Sequence, residues 1–274
     1  MRREALKTLA EEKHARFADA LQLAFTDRDE AIRIEATRLQ GNRIDVTQAG
    51  RVLQTGSILE KQAVLGVLAK SRAPAAVELI GRQLDSLLES RLPKELALDV
   101  LEAATFHAAL RDRLTSYTNS LRKDDALAAW RPVLHGGLAD AGRSTFYDNQ
   151  QIACFRCHKL KGEGGEVGPD LTGLTAKRGR EYLLESIVFP NKSIAAGFES
   201  SLITMKNGTE YAGLVKSESG TELEFSSPED GLLKLKKADI AERRRGLSAM
   251  PEELVILLTH RELRDLIEFL ASEK

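Results

Sequence analysis

The stretch Ile152-Ala-Cys-Phe-Arg-Cys-His-Lys159 holds both cysteines of a 274-residue chain and sets a histidine directly behind the second. Thiolates and imidazoles are metal ligands, nucleophiles and redox groups, so this spacing has a small set of chemical uses. A redox dithiol of the thioredoxin kind needs a strand before the motif within a βαβ unit, whereas the preceding Arg143-Ser-Thr-Phe-Tyr-Asp-Asn-Gln-Gln151 reads as helical and then polar. A structural zinc site needs four ligands. Beyond Cys154, Cys157 and His158 the chain offers only the scattered His14, His107, His135 and His260. A disulfide closed over two intervening residues is strained and gives His158 no part.

The use that employs all three residues is attachment of c-type haem. Two thiols three positions apart, on a turn entering a helix, reach the two vinyl groups on one porphyrin edge and form thioethers. The next residue, His158, then lies over the iron as its proximal ligand. Downstream, Glu166–Leu174 (EVGPDLTGL) resembles the Gly-Pro-x-Leu segment of class I cytochromes c. The resemblance implies that the Pro169 carbonyl accepts the second ring N–H of His158, fixing its tautomer, and that Leu171 packs on the haem. Of the three methionines, Met1 opens the chain, and Met205 sits on an expected strand where ordinary packing explains it. Met250, in GLSAMPEEL, lies on a loop before the last helices, where class I cytochromes carry a distal Met-Pro. It is the expected sixth ligand, with His260 as the second candidate. The interval from His158 to Met250 is long for a compact cytochrome, but removing about 199–245 leaves an ordinary one.

The segment from about Gly136 onward resembles the haem-binding domain found in many Planctomycetes and Verrucomicrobia proteins. The resemblance is carried by CFRCHKLKGEGGEVGPDLTGL, IVFPNKSIAAGFES, NGTEYAGLV and GLSAMPEELVILLTHRELRDLIEFLAS. One departure is Ala196-Gly197-Phe198, where that group has Pro-Gly-Tyr, which removes a hydroxyl that the resemblance would offer to a haem propionate. Members often carry helical repeats before the cytochrome and a sugar-dehydrogenase-like β-propeller further upstream. No propeller is present here, so the chain is expected to be the C-terminal part of such an arrangement. One covalent haem c is the implied cofactor.

The elements that position these residues fall into two groups. From Arg3 to about Leu134 apolar residues recur at helical spacing. Asp27 with Glu30, Asp45 with Gln48 and Ser57 with Glu60 have capping-box form, predicting helix starts near 28, 46 and 58. Further helices are expected at about 14–26, 74–90, 94–107 and 109–120. Asp29–Gly41 resembles the second helix of a HEAT-type repeat, with Ile32, Ala36 and Leu39 on one face and a small Ala where a neighbouring helix approaches. An irregular helical bundle is the alternative. Three glycines in Leu134–Gly142 mark a boundary near Gly136, followed by a short helix around Ala139–Asp148. A helix is expected at about 180–188. The apolar period then changes from 3.6 to 2, predicting strands near 200–206, 209–217, 221–226 and 232–236, with turns at Asn207-Gly208, Ser219-Gly220 and Pro228–Gly231. Helical pattern returns in Pro251–Leu258 and after Thr259, whose Glu262 completes another capping box.

The expected fold is therefore mainly α. A HEAT-like α-solenoid over 1–135 precedes a class I-like cytochrome c domain over 136–274, with a small antiparallel β-meander inserted at about 199–245. Apolar residues make up 42% and charged residues 30%, and Lys plus Arg (40) balances Asp plus Glu (41), so no global field draws in nucleic acid or an acidic membrane. No apolar run is long enough to span a membrane, and no export signal follows the basic start. A periplasmic or other extracytoplasmic location is nonetheless implied by the haem resemblance, with the export signal lying outside this chain. Arg243-Arg244-Arg245 with Lys234, Lys236 and Lys237 forms a basic cluster, read either as a solvated strand end or as a site for haem propionates or an acidic redox partner. Tyr147, Tyr182 and Phe189 either line a haem crevice or pack in the core, and Trp130 and His107 are expected to pack.

Three functions fit. The first is an electron-transfer module passing electrons from a dehydrogenase domain or partner, without catalysis of its own. The second is a helical-repeat interaction scaffold with a structural or sensory haem. The third is an open haem site that binds a small ligand.

Overall fold

The computed structural model describes the chain apart from Pro228, Lys274 and the side chain of Asn42. The chain divides into two compact units, Met1–Gly136 and Gly137–Lys274.

The first unit is helical: α1 (Arg2–Glu11), α2 (Phe17–Phe25), α3 (Glu30–Gln40), α4 (Val46–Thr55), α5 (Ile58–Leu68), α6 (Pro74–Leu88), α7 (Ala97–Thr105) and α8 (Arg111–Ser120), with short 3-10 turns between some of them. Its caps show how local chemistry places the ends. The Ser57 hydroxyl accepts from Glu60 N at 3.2 Å while the Glu60 carboxylate accepts from Ser57 N at 2.9 Å, which satisfies two exposed donors at the start of α5. Asp45 accepts from Thr47 N and Gln48 N, but Gln48 turns its own side chain to Gln40, so only half of that box forms. The expected start near 28 is corrected to Glu30. Asp27 closes its own local turn by accepting from Asp29 N, and Asp29 is the residue that caps α3. Ala36 is fully buried among α1–α3 with Leu6, Ala24 and Ile32, and a larger cluster around Leu65, Leu68, Ile80, Leu84 and Val100 fills α4–α7.

The second unit begins with α9 (Ala139–Asp148), a single turn α10 (Cys154–Cys157), a small hairpin β1 (Lys159–Leu160) and β2 (Glu163–Gly164), and α11 (Leu174–Val188). Gly179, at φ 79° and ψ 172°, breaks α11, so the helix expected at 180–188 is its second half. The last helix, α12 (His260–Ser272), starts at a complete capping box between Thr259 and Glu262. It buries Leu263, Leu266, Ile267, Phe269 and Leu270 on one side. Its contact with α9 is backbone-close: a Cβ at Gly142 would lie 1.9 Å from the Asp265 carbonyl oxygen, so only glycine permits this approach.

Between α11 and α12 stands a sheet of five antiparallel strands: β3 (Ser200–Met205), β4 (Glu210–Glu218), β5 (Glu222–Ser227), β6 (Gly231–Lys236) and β7 (Ile240–Arg245), in the order β6-β5-β4-β3-β7. The four-stranded expectation is corrected by β7, which pairs with the outer edge of β3 from Ser201↔Arg245 to Met205↔Ile240. Ile-Ala-Glu-Arg-Arg-Arg lacks apolar alternation because nearly all of β7 is exposed, so its strand character comes from the partner edge. Ile203, Leu223, Phe225 and Leu235 form the sheet's own core, and Met205 packs against it. The Asn207-Gly208 turn is present, with Gly208 at φ 87°. Of the turn expected at Pro228–Gly231, Pro228 lies outside the described residues, while Glu229 N and Asp230 N donate to Ser227 Oγ. The segment Glu252–Leu257 is a 3-10 helix. No helix among the described residues is long and apolar enough to cross a membrane.

Candidate functional site

The two cysteines are brought to one side by a single helical turn. Ala153 enters it in a left-handed conformation (φ 46°, ψ 40°), and His158 N donates to the Cys154 carbonyl at 2.9 Å, closing the turn. Positions i and i+3 of one turn share a face, so Cys154 and Cys157 project together. His158 then leaves in extended conformation.

The following loop folds back over this turn and is tied to it by three backbone bonds: Gly165 N donates to Phe155 O (3.1 Å), Gly168 N to Cys157 O (2.7 Å) and Leu171 N to Lys159 O (2.9 Å). The loop's glycines are demanded by the closeness of that wrap. A Cβ on Gly165 would sit 1.8 Å from the Arg156 carbonyl oxygen, and one on Gly168 would sit 2.5 to 2.9 Å from three atoms of the His158 ring. One residue on, the Pro169 carbonyl lies 2.9 Å from His158 Nδ1. A carbonyl can only accept, so Nδ1 carries a proton, and in the neutral ring Nε2 then keeps its lone pair. Burial pushes the His158 pKa below its usual value, only partly opposed by the Pro169 carbonyl, so the ring is held neutral. Burial likewise pushes the Cys154 thiol up to about 11. Neither cysteine is in a disulfide.

These residues line one cavity of about 1140 Å³, the solvent at its mouth included. Cys154, Cys157, His158, Pro169, Leu171 and Met250 all contribute to its wall. Leu183 and Ile187 of α11 and Leu266 and Leu270 of α12 make much of the wall apolar, with hydroxyls from Ser186, Ser193 and Ser248. Met250 arrives on the loop before the 3-10 segment, where its backbone N–H donates to Ser248 Oγ at 3.1 Å.

Other candidates fall elsewhere. Tyr182 joins the wall, but Tyr147 and Phe189 do not. Tyr147 instead packs edge-on or tilted against Phe146, Phe155 and Phe269, with ring centroids 4.8 to 6.1 Å apart, and its neighbour Phe146 takes the cavity side of α9. His260 opens α12 on the surface and Met205 belongs to the sheet. The basic cluster is outside the wall and is engaged locally: Arg243 and Lys237 pair with Glu218, Arg244 with Glu242 and Arg245 with Glu199. Phe198, from the departure noted above, also joins the wall, and so does Gly168, the glycine of the Gly-Pro-x-Leu segment, which lies against the His158 ring.

Two thiols on one face, a neutral imidazole with a committed Nδ1, a thioether and a mainly apolar slot are the donor set and surroundings that a covalently held haem requires. Among the described residues no three His, Cys, Asp or Glu side chains gather into a metal-binding group, so the donor set does not extend to a zinc site.

Residues 139–242 match the model of the cytochrome c family. This part of the chain is a cytochrome c-type haem-binding domain, with covalently attached haem c as its cofactor and haem-based electron transfer to a redox partner as its implied activity. The match takes in the two cysteines, His158, Pro169 and Leu171, and ends short of Met250. No curated protein matches the chain.

Proposed function

We propose that the second unit is a monohaem electron carrier in which Cys154 and Cys157 would hold the haem covalently and His158 and Met250 would bind its iron. The strongest support is the 2.9 Å hydrogen bond from His158 Nδ1 to the Pro169 carbonyl, made beside a cavity that also receives both cysteines and Met250. Bound there, the haem supplies a one-electron iron couple. The chain supplies the rest. Pro169 fixes the imidazole's tautomer and raises its basicity, while Gly168 lets the loop lie against the ring. Leu171, Leu183, Ile187 and Leu266 keep water from the site and lower the local dielectric. Were His158 and Met250 both to hold the iron, no side would be left open for oxygen, and electron transfer would be favoured over oxygen chemistry.

In this reading electrons come from a dehydrogenase domain or partner protein, and the first unit is a HEAT-like spacer or protein-binding arm. Because c-type haem is attached outside the cytoplasm, the site of action is periplasmic or otherwise extracytoplasmic. The second unit resembles the Planctomycetes and Verrucomicrobia haem-binding domain. The optical spectrum of the oxidised, haem-loaded chain tests the ligand assignment. A sulfur-to-iron charge-transfer band in the far red, lost in Met250→Ala, is expected. Absence of that band in the unaltered chain, with ready carbon monoxide binding on reduction, would favour an open site instead.

A further inference from the structure

The loop bearing Met250 is not held by its own sequence alone. Its upstream end is tied to β3, where Gly246 N donates to the Ser200 carbonyl at 2.8 Å and the Ser200 hydroxyl donates to Leu247 O. Its middle is spanned by one distant side chain. Asn191, in the turn after α11, accepts from Ser248 N through Oδ1 at 2.7 Å and donates through Nδ2 to the Glu252 carboxylate at 2.7 Å. These contacts land two residues before and two residues after Met250. Ser248, the residue gripped on the near side, in turn receives the Met250 N–H on its Oγ.

We infer that Asn191 is a positioning residue that sets where Met250 stands in the cavity wall, an inference that rests on Met250 being the sulfur ligand. The amide is suited to this because it presents one acceptor and one donor from a single planar group. Aspartate keeps the acceptor for Ser248 N but turns a second carboxylate toward Glu252. Alanine removes both bonds and leaves the loop the local Ser248 contact and its upstream ties to Ser200. The neighbouring Pro190 and Ser193 are themselves part of the cavity wall, so Asn191 couples the loop to the wall that it completes. This role is distinct from packing: Asn191 is half-buried, and its two side-chain hydrogen bonds both run to the Met250 loop.

The test uses the full chain loaded with haem by a cytochrome c maturation system, in five forms: unaltered, Asn191→Ala, Asn191→Asp, Asn191→Asp with Glu252→Gln, and Met250→Ala. Covalent haem content by mass spectrometry should be equal in all five. Exogenous imidazole, which competes with the methionine sulfur, should bind Asn191→Ala about tenfold more tightly than the unaltered chain, the effect of two modest hydrogen bonds. The far-red charge-transfer band should weaken in parallel. Asn191→Asp should resemble Asn191→Ala. In the double variant the amide introduced by Glu252→Gln donates to the carboxylate introduced by Asn191→Asp, so the bond returns with its polarity reversed. That variant should regain the unaltered affinity and band. Unchanged imidazole affinity in Asn191→Ala, or a double variant no better than Asn191→Asp, would overturn the inference. Survival of the band in Met250→Ala would overturn the ligand assignment itself, and this inference with it.

Discussion

Replacing Gly168 by alanine adds one methyl group at the most crowded point of the site. Its backbone φ is not in the left-handed region, so the substitution carries no conformational penalty and acts through sterics alone. The new carbon would stand 2.5 Å from His158 Cε1, 2.7 Å from Nδ1 and 2.9 Å from Nε2, whereas ordinary contacts begin near 3.4 Å. Relief therefore requires about 0.9 Å of separation between the loop and the ring. The loop cannot move that far and keep Pro169 O at 2.9 Å from Nδ1, because Gly168 and Pro169 are adjacent. The cost combines overpacking, about 1–3 kcal/mol, with weakening of one hydrogen bond, about 1 kcal/mol. Urea unfolding of the haem-loaded chain, followed through haem absorbance, should show a loss of about 2–4 kcal/mol, accompanied by a shifted reduction potential because the imidazole loses its fixed partner. Gly162→Ala is the control. That glycine has φ 83° but open space around its Cβ position, so it should cost about 1–2 kcal/mol of backbone strain and leave the potential unchanged. Equal stability and equal potential in Gly168→Ala and the unaltered chain would refute the close packing of loop on ring.

Other expectations follow from the same kind of contact. Gly142→Ala should separate α9 from α12, because its Cβ would meet the Asp265 carbonyl oxygen at 1.9 Å, and the melting temperature of the second unit should fall by several degrees. Ser57→Ala removes the acceptor that caps α5 and should cost about 1 kcal/mol in urea unfolding followed by Trp130 fluorescence. Burial pushes the Glu60 pKa up, but hydrogen bonds from Arg33 and Ser57 outweigh it and the net shift is downward. A carboxyl depressed in the folded state stabilises fully above its ordinary value of 4.5, and that contribution is lost as pH falls through the folded value. Glu60→Gln should therefore lower stability at neutral pH and flatten the acid limb of the first unit's stability profile.

The parts legible in the sequence were those built from neighbours along the chain. Ser57 with Glu60 and Thr259 with Glu262 each complete their boxes within four residues, so spacing alone located α5 and α12. The same logic misplaced α3, because Asp27 and Asp29 both offer a carboxylate and only the folded turn decides which one caps the helix. Strand β7 was unreadable for the opposite reason: its residues show no alternation, and its partner lies far back in the chain at β3. At the site, the cysteines, His158, Pro169 and Leu171 lie within one local segment and were legible together. Which aromatic faces the cavity was not, since Phe146 and Tyr147 are adjacent on α9 and the packing of α12 and Phe155 selects between them. Asn191 could be read only as part of a turn, because its bonds reach across to a loop near the end of the chain.

The central claim is that this polypeptide carries one haem bonded through its only two cysteines. Intact-mass measurement of the denatured chain, after expression with a cytochrome c maturation system, tests that most directly. A mass raised by one haem and persisting under denaturation is expected, with an unmodified mass in Cys154→Ser with Cys157→Ser. An unmodified mass for the native sequence, or a haem gain that survives removal of both thiols, would contradict it.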